Sequence, residues 1–254
     1  MSSSFLTETK SCSTPVEFST APALNAQGRK PNIAIDGPAG AGKTTIARLA
    51  ARRLGFTYIS TGALYRAITL GLLRKGIDVN AFEQSDNQKS ILETIDVSVG
   101  HVAGEPRIYL DGEDVTDQLS GPNVTQWVSE VSRIPAVRSH LLKLQREYAS
   151  AGGVIMDGRD IGSVVLPDAE FKFFLTASVE ERVRRRTLEL RSKGLDIPID
   201  EVRSTIEKRD RIDSTRSVAP LRKAEDAIEI DTTGKSIEEV LEELLSHVTR
   251  SGAW

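Results

Sequence analysis

A short apolar run, a glycine-rich loop and an amphipathic segment follow one another near residue 40. The run covers 32–36, the loop at 37–44 reads GPAGAGKT, and 44–54 has apolar residues at helical spacing. The loop satisfies the pattern GxxxxGK[ST], in which glycines turn backbone amides toward a polyphosphate and the lysine reaches its terminal phosphates. A chance glycine-rich turn is disfavoured by the strand before the loop and the helix after it. The sequence therefore predicts an α/β fold with a phosphate-binding loop.

The donor-binding residues follow from this motif. Lys43 would contact the transferred phosphate, and the Thr44 hydroxyl would ligate Mg²⁺. Asp157 closes the apolar run 153–156, where such proteins place a carboxylate beside the metal, although Asp157-Gly158 is also good turn chemistry. We expect ATP to contact Gly37, Pro38, Ala39, Gly40, Ala41, Gly42, Lys43, Thr44 and Thr45.

Short apolar runs alternate with longer amphipathic segments along the chain. The runs cover 32–36, 56–59, 153–156, 171–175 and 227–230. Strands that alternate with helices form parallel sheets. We therefore predict a five-stranded parallel sheet flanked by helices, the P-loop NTPase fold.

Residues 95–118 break this rhythm. Alternating runs at 96–99 and 107–110 lead through Asp111-Gly112 into 113–116. Asp-Gly between two such runs is typical of a β-hairpin. We expect a small antiparallel hairpin insert between core strands two and three, within a lobe that binds the phosphate acceptor.

Overall charge and composition limit the partners of the chain. The 254 residues carry a formal charge of -3, which gives no general attraction to nucleic acid or to an anionic membrane. No apolar run reaches the roughly 20 residues that span a bilayer. Residues 1–30 are rich in Ser, Thr, Ala and Pro and predict a disordered tail, since the alternative of a transit peptide does not fit the acidic Glu8 and Glu17. The single cysteine, Cys12, excludes an internal disulfide.

Arginines are concentrated in the segment 182–222. Guanidinium groups stabilise the charge that develops during phosphoryl transfer, so a flexible arginine-bearing lid is one explanation. A solvated helix face is the other, because Glu181 and Arg185 have i,i+4 spacing, and we expect about half of these arginines to have only that role. The arginines are Arg182, Arg184, Arg185, Arg186, Arg191, Arg203, Arg209, Arg211, Arg216 and Arg222.

Four segments together resemble the bacterial-type cytidylate kinases. They are GPAGAGKTT, STGALYRA at 60–67, DGRDIGSVVLPDA at 157–169 and RDRIDSTRSVAPL at 209–221. The resemblance covers nearly everything after residue 30 and includes the insert. It implies transfer of the γ-phosphoryl group of ATP, with Mg²⁺, to CMP or dCMP.

The resemblance also implies roles for individual residues. Thr61 and Arg66 match positions that hold the acceptor phosphate, with Thr61 in place of the more familiar serine. Arg159 and Arg216 match arginines near that phosphate, and Arg185 matches the lid region on the donor side. The family positions that read the base are matched by Ser129, Arg138 and Asp160. Those that contact the sugar are matched by Arg209 and Asp213. The catalytic set is then Lys43, Arg159, Arg185 and Arg216. Thr44 stands where many nucleotide kinases have glycine before the threonine matched by Thr45, and both departures keep a hydroxyl.

The division of the chain follows the same resemblance. We expect one kinase domain at 31–254, with a core at 31–61, 151–184 and 205–250. The acceptor-binding lobe would cover 62–150, and a short lid about 185–204. A monomeric cytoplasmic protein is expected.

Two questions stay open at this point. Asp160 complements the exocyclic amine of cytosine, but it is equally a strand-end residue that pairs with Arg159 or caps a helix. A kinase for a hydroxyl acceptor of the shikimate or gluconate type would need a catalytic base, whereas a monophosphate is already anionic. His101, His140 and His247 lie outside every motif. A nucleotide-sensing switch would need neither an acceptor lobe nor a lid.

Overall fold

The computed structural model describes residues 28–102 and 105–250. Residues 1–27 of the predicted tail, with Cys12, lie outside the described residues. The Lys30 carbonyl accepts a hydrogen bond of 3.0 Å from the amide of Gly153, so the folded part begins before residue 31.

The strands form two sheets. They are β1 (Ile33–Asp36), β2 (Thr57–Ser60), β3 (Val97–Val102), β4 (Glu105–Leu110), β5 (Glu113–Asp114), β6 (Val154–Gly158), β7 (Phe171–Thr176) and β8 (Ile228–Asp231). The first sheet has the order β2-β6-β1-β7-β8 and every pairing in it is parallel. The predicted five-stranded parallel sheet is confirmed. The strand β6 runs beyond the predicted run, so Asp157 lies inside it.

The helices connect these strands. They are α1 (Lys43–Leu54), α2 (Thr61–Arg74), α3 (Val79–Glu83), α4 (Gln88–Leu92), α5 (Pro122–Val131), α6 (Pro135–Ala149), α7 (Val179–Ser192), α8 (Ile199–Thr215) and α9 (Ile237–Arg250). Within residues 28–102 and 105–250, no helix is both long enough and apolar enough to cross a bilayer.

Apolar layers cover both faces of the parallel sheet. On one face, Ile46 of α1 and Leu244 of α9 pack with the strands. On the other face, Leu64 of α2 and Leu141 of α6 belong to a second cluster that continues into the insert through Leu110. The inner strands β1 and β6 are buried along their whole length, whereas the edge strands β2 and β8 have exposed residues. Burial on both faces explains why the inner strands appear as mainly apolar runs in the sequence. The insert is therefore joined to the core by a shared apolar interior.

The insert is a three-stranded antiparallel sheet of order β3-β4-β5. Asp111 and Gly112 join β4 to β5 with φ values of 51° and 82°. Positive φ at both central residues is typical of the two-residue turn that matches strand twist. The Asp-Gly hairpin prediction is confirmed.

The predicted lid segment 185–204 contains two helix ends and the turn between them. It includes the second half of α7 and the first residues of α8. Val183, Leu190, Val202 and Ile206 pack these helices into a small cluster of their own. The arginines of this region are thus displayed on a helical hairpin.

Candidate active site

A cleft of about 420 Å³ lies between the carboxyl ends of the central strands, the insert and α8. The end of β6 forms its floor, while Val99 and Ile108 of the insert and Arg209 of α8 form walls. In open α/β sheets, ligands bind at this edge. The predicted residues on the cleft wall are Ala39, Gly40, Thr44, Thr61, Arg66, Ser129, Asp157, Arg159, Asp160, Arg209, Asp213 and Arg216.

The phosphate-binding loop connects β1 to α1. Gly37 has φ 145°, and a Cβ there would lie 1.9 Å from the backbone oxygen of Leu175, so only glycine fits. Lys43 is buried, and its Nζ donates a hydrogen bond of 2.6 Å to the Pro38 carbonyl. Burial lowers the pKa of Lys43 well below its usual value, and the positive charge of Arg159 lowers it further. The negative charge of Asp157 offsets these two effects only in part.

Asp157 is held from two sides. The Thr44 hydroxyl donates to Oδ2 and the Tyr58 hydroxyl to Oδ1, each at 2.8 Å. The Thr61 hydroxyl donates to the Asp157 carbonyl at 2.7 Å. Among the described residues, no group of three or more His, Cys, Asp or Glu side chains forms a metal cage. Mg²⁺ commonly takes only one or two protein oxygens, with water and substrate phosphates completing its shell, so Thr44 and Asp157 fit this ion.

Asp160 lies between two arginines and is 4% exposed. One carboxylate oxygen accepts from Arg138 Nη2, and the other accepts from Arg216 Nη2 at 3.0 Å. Arg138 also lies over the Tyr65 ring, 5.6 Å from its centroid, which is a cation–π contact. The alternative in which Asp160 pairs with Arg159 or caps a helix through its side chain is wrong. Three regions distant in sequence therefore meet at this carboxylate, and Tyr65 of α2 contacts one of them, Arg138.

Arg159 pairs with Asp213 of α8. Its Nε donates to Asp213 Oδ2 at 2.7 Å. Burial alone would raise the pKa of Asp213, but Arg159 and Arg209 outweigh burial and hold it below its usual value. Burial, reinforced by Arg159, lowers the pKa of Arg209 to about 10. The Nε of Arg209 is buried and has no hydrogen-bond partner among residues 28–102 and 105–250.

Arg66 and Ser129 also line the cleft. Arg66 Nη1 donates to the Leu119 carbonyl and to the Thr125 hydroxyl, both at 2.9 Å. Burial, and next the charge of Arg186, lower the pKa of Arg66. Both contacts use the same nitrogen, Nη1, so the N–H groups of Nε and Nη2 can donate to a ligand.

Lys43, Arg138 and Arg185 are predicted site residues that do not line the cleft. Arg185 donates to Glu181 at 2.8 Å and to the hydroxyl and carbonyl of Thr232 at 2.9 and 2.6 Å. The two hydrogen bonds from Arg184, and then those from Arg185, lower the pKa of Glu181 to about 2. Arg185 lies beside the loop at Gly42, where its Nη1 would be 3.6 Å from an added Cβ.

The arginine-rich segment divides into two groups. Arg184, Arg186, Arg191 and Arg203 form exposed ion pairs with acidic neighbours, as the helix-face explanation predicts. Arg182 is instead buried, and it donates to the Ala39 carbonyl at 3.2 Å, to the Ala177 carbonyl at 3.1 Å and to Asp210. It ties the phosphate-binding loop to α8.

Sequence reasoning missed three residues of the site. Tyr58 orients Asp157, Tyr65 lies under Arg138, and Arg182 braces the loop. Nothing in the pattern separates Tyr58 from an ordinary core tyrosine of a strand. Tyr65 lies within STGALYRA, one of the four segments that carry the family resemblance, so that resemblance could have identified it.

One contact joins the insert to the phosphate-binding helix across the mouth of the cleft. Glu105 of β4 pairs with Arg52 of α1 and lies 4.0 Å from Arg48. All three side chains are more than a third exposed. The insert is thus held against the core partly by solvent-screened charges.

The sheet order, the loop on the central strand and the magnesium-compatible Thr44–Asp157 pair define a P-loop phosphotransferase. Residues 33–250 match the model of the family described as cytidylate kinase. The cytidylate kinase of Caldicellulosiruptor saccharolyticus is 51% identical over 217 residues, covering 85% of this chain and 95% of that protein. That of Bacillus cereus is 45% identical over 221 residues, covering 86% and 96%. The chain belongs to the cytidylate kinase family.

Solved structures match the chain more distantly. The shikimate kinase from Acinetobacter baumannii in complex with shikimate has a TM-score of 0.43 at 18% identity, over 89% of this chain and 96% of that one. A gluconokinase from Sinorhizobium meliloti has a TM-score of 0.41 at 16% identity, over 87% and 94%.

Proposed function

We propose that this chain transfers the γ-phosphoryl group of ATP to CMP or dCMP, giving ADP and CDP or dCDP. Its curated relatives carry the name cytidylate kinase at about half identity over most of the chain. The observation that carries the choice of acceptor is the Asp160 carboxylate, which is fixed at the cleft wall by two arginines.

Base recognition follows from the hydrogen-bonding capacity of Asp160. Each carboxylate oxygen accepts one arginine hydrogen bond and keeps a further lone pair. Cytosine can donate its exocyclic amine hydrogen to such an acceptor, whereas uracil presents a carbonyl there and is repelled. Ser129 and Arg138 complete the proposed base-reading group. The two ion pairs keep Asp160 from rotating away when no base is bound.

Acceptor and donor phosphates would be held by different groups. Arg66, Arg159 and Arg216 neutralise the acceptor phosphate, with Thr61 at the start of α2. Arg209 and Asp213 hold the sugar, where the unpartnered Nε of Arg209 can donate. The loop amides and Lys43 hold the ATP phosphates. A polyphosphate would place further negative charge beside Lys43 and would raise its pKa again.

The reaction then needs positioning more than proton transfer. The acceptor phosphate oxygen is already anionic, attacks the γ-phosphorus and displaces ADP. Guanidinium groups of Arg159, Arg185 and Arg216 stabilise the charge on the transferring group. Mg²⁺ bound by Thr44 and Asp157 would supply charge neutralisation for the ATP phosphates.

A hydroxyl-acceptor kinase fits the cleft less well. Such an enzyme needs a base beside the acceptor oxygen. Of the three cleft aspartates, Asp160 and Asp213 are ion-paired with arginines, and Asp157 is held by Thr44 and Tyr58. Within the described residues no histidine lines the cleft.

All proposed contacts come from one chain, so we propose that a monomer is sufficient and that the protein works in the cytoplasm, where ATP and nucleoside monophosphates are both present. We propose no nucleic-acid partner, because the chain as a whole is negative.

The test is ADP release with Mg²⁺-ATP and one acceptor at a time. The panel contains CMP, dCMP, UMP, AMP, GMP and shikimate. The proposal requires CMP or dCMP to have the highest kcat/KM. A higher value for UMP, AMP, GMP or shikimate would refute it.

A further inference from the structure

Asp36 is a buried carboxylate at the end of β1, 4% exposed. Its Oδ1 accepts the amide of Ile161 and its Oδ2 the amide of Gly162, both at 2.8 Å. In the part of the chain that the structure describes, no ion pair involves Asp36. Burying a carboxylate without a paired cation is costly, and burial raises the pKa of Asp36 to about 6 against the effect of the two amides. Such a cost needs a compensating role.

The two amides belong to the turn that presents the acceptor-binding residues. Ile161 and Gly162 open a single π-helical turn, Ile161–Val165, directly after Arg159 and Asp160. The Asp160 carbonyl accepts the amides of Val164 and Val165 at 2.9 and 3.1 Å. The turn is therefore fixed at its first residues by Asp36 and at its last by its own backbone. The direction in which Asp160 leaves the strand depends on both.

Asp36 also adjoins the donor side. It pairs with Gly158 across the β1–β6 ladder, and it immediately precedes Gly37 of the phosphate-binding loop. One side chain thus connects the strand that leads into the donor loop with the turn that carries the acceptor groups.

We propose that Asp36 is a positioning residue for acceptor selection, which holds the 161–162 amides so that Asp160 meets the base in its binding orientation. The inference rests on the proposed function, because it assumes that Asp160 reads the base. Asp36 touches no substrate and acts through the turn. A purely structural role would instead lower stability and leave discrimination between bases unchanged.

The experiment uses Asp36→Asn in the full chain. Asparagine keeps the shape, but its amide nitrogen faces one of the two backbone N–H groups and cannot accept. Asp78→Asn is the matched control, because Asp78 also accepts a backbone amide, from Ala81 at 2.8 Å, outside the cleft. Calorimetry measures the Kd of CMP, UMP and a non-hydrolysable Mg²⁺-ATP analogue, and thermal melts check folding.

The expected result is CMP binding weakened about tenfold by Asp36→Asn, because a displaced Asp160 would lose its hydrogen bond to the base, and one hydrogen bond to a charged acceptor has about this effect. UMP and the ATP analogue should change much less, and Asp78→Asn should leave every Kd unchanged. Unchanged CMP binding, or equal losses for CMP and UMP, would overturn the proposal for Asp36. Wild-type protein that fails to bind CMP would instead overturn the proposed function.

A measurement on wild type covers the case in which the variant does not fold. Amide hydrogen exchange of Ile161 and Gly162 is followed by NMR with and without CMP. If Asp36 holds the turn in advance, both amides are strongly protected in the free protein and CMP adds little. Fast exchange in the free protein, slowed only by CMP, would contradict the inference.

Discussion

The donor side and the acceptor side of the cleft both bind phosphate, but they are built differently. The donor loop is one continuous stretch, 37–44, that offers backbone amides and a single lysine. The acceptor side collects side chains from three separate regions, with Arg138 and Arg216 meeting at Asp160 and Arg159 meeting Asp213. Its geometry depends on ion pairs between distant elements.

This difference has an energetic consequence. Backbone amides carry no formal charge and remain in place because the glycine conformations and the helix hold them. Buried guanidinium and carboxylate groups lose hydration and must compensate one another, so removal of one partner leaves another charge unpaired. The donor side should therefore tolerate loss of single side chains without unfolding, whereas the acceptor side couples binding to stability.

The largest expected effect is on the donor side. Lys43→Ala should lower kcat by about 10²–10³-fold, the range for removing one preorganised electrostatic donor, because Lys43 would contact the transferred phosphate. Steady-state kinetics with CMP and thermal melts measure turnover and folding together. The melting temperature should change little.

Lys75→Ala is the control for Lys43→Ala, because Lys75 is an exposed lysine at the end of α2. It should retain wild-type turnover. Near-normal turnover by folded Lys43→Ala would contradict the donor-side assignment.

A smaller effect is expected from Asp160→Asn on the acceptor side. The ratio of kcat/KM for CMP to that for UMP should fall about 10–100-fold, because one hydrogen bond to a charged acceptor is worth roughly 1.5–3 kcal/mol. Asparagine is preferable to alanine, since alanine would leave Arg138 and Arg216 both unpaired.

The ratio contains its own control, because a general loss of folding affects both substrates alike. Equal proportional losses for CMP and UMP would mean that Asp160 is structural. The base reader would then have to be sought at Ser129 and Arg138.

Substrate closure offers a third way to separate the two sides. With CMP and an ATP analogue, amide exchange should slow several-fold in the insert at 97–110 and in the lid segment at 185–204, because phosphoryl transfer requires exclusion of water. Strand β1 should change little, since it is already fully buried. Unchanged exchange in the insert and lid would argue against closure of these two segments over the cleft.

The smallest expected effect concerns the contact between Glu105 and Arg52. Glu105→Gln should raise KM for CMP less than about fivefold, since exposed ion pairs contribute about 0.2–1 kcal/mol. The increase should disappear at high salt, which screens such pairs. Glu113→Gln is the control, because its exposed pair with Arg74 does not reach the core helix α1. A larger increase in KM that does not depend on salt would mean that the contact is required to hold the insert against α1.

Much of the fold could be predicted because burial on both faces produces recognisable runs. All five core strands lie within about two residues of the predicted runs, and the Asp111-Gly112 turn has the φ values that its sequence requires. The three strands of the insert also overlap the predicted runs 96–99, 107–110 and 113–116. The helical form of the lid depends on tertiary packing, which a local pattern does not contain.

The site could be predicted only in part, for a related reason. The loop at 37–44 is contiguous, so its chemistry can be recognised locally. Ser129 and Arg138 were singled out by resemblance alone, because a serine or arginine on a helix has no distinguishing local pattern. Tyr58 was not predicted, and Arg182 was named only as one of the clustered arginines. Their partners, Asp157 and the Ala39 carbonyl, are 99 and 143 residues away.

The charges on the cleft wall affect the stability of the enzyme when no ligand is bound. In the described residues the wall carries five arginines and three aspartates, a local positive excess in a chain of formal charge -3. The arginines repel one another when no anion is bound. This repulsion lowers the stability of the empty enzyme, and a bound nucleotide reduces it. Any ligand that binds only the folded state raises its stability in proportion to the logarithm of concentration. The free energy of unfolding of this enzyme therefore depends on the supply of nucleotides. The folded state is less stable when substrate is scarce and more stable when substrate is abundant.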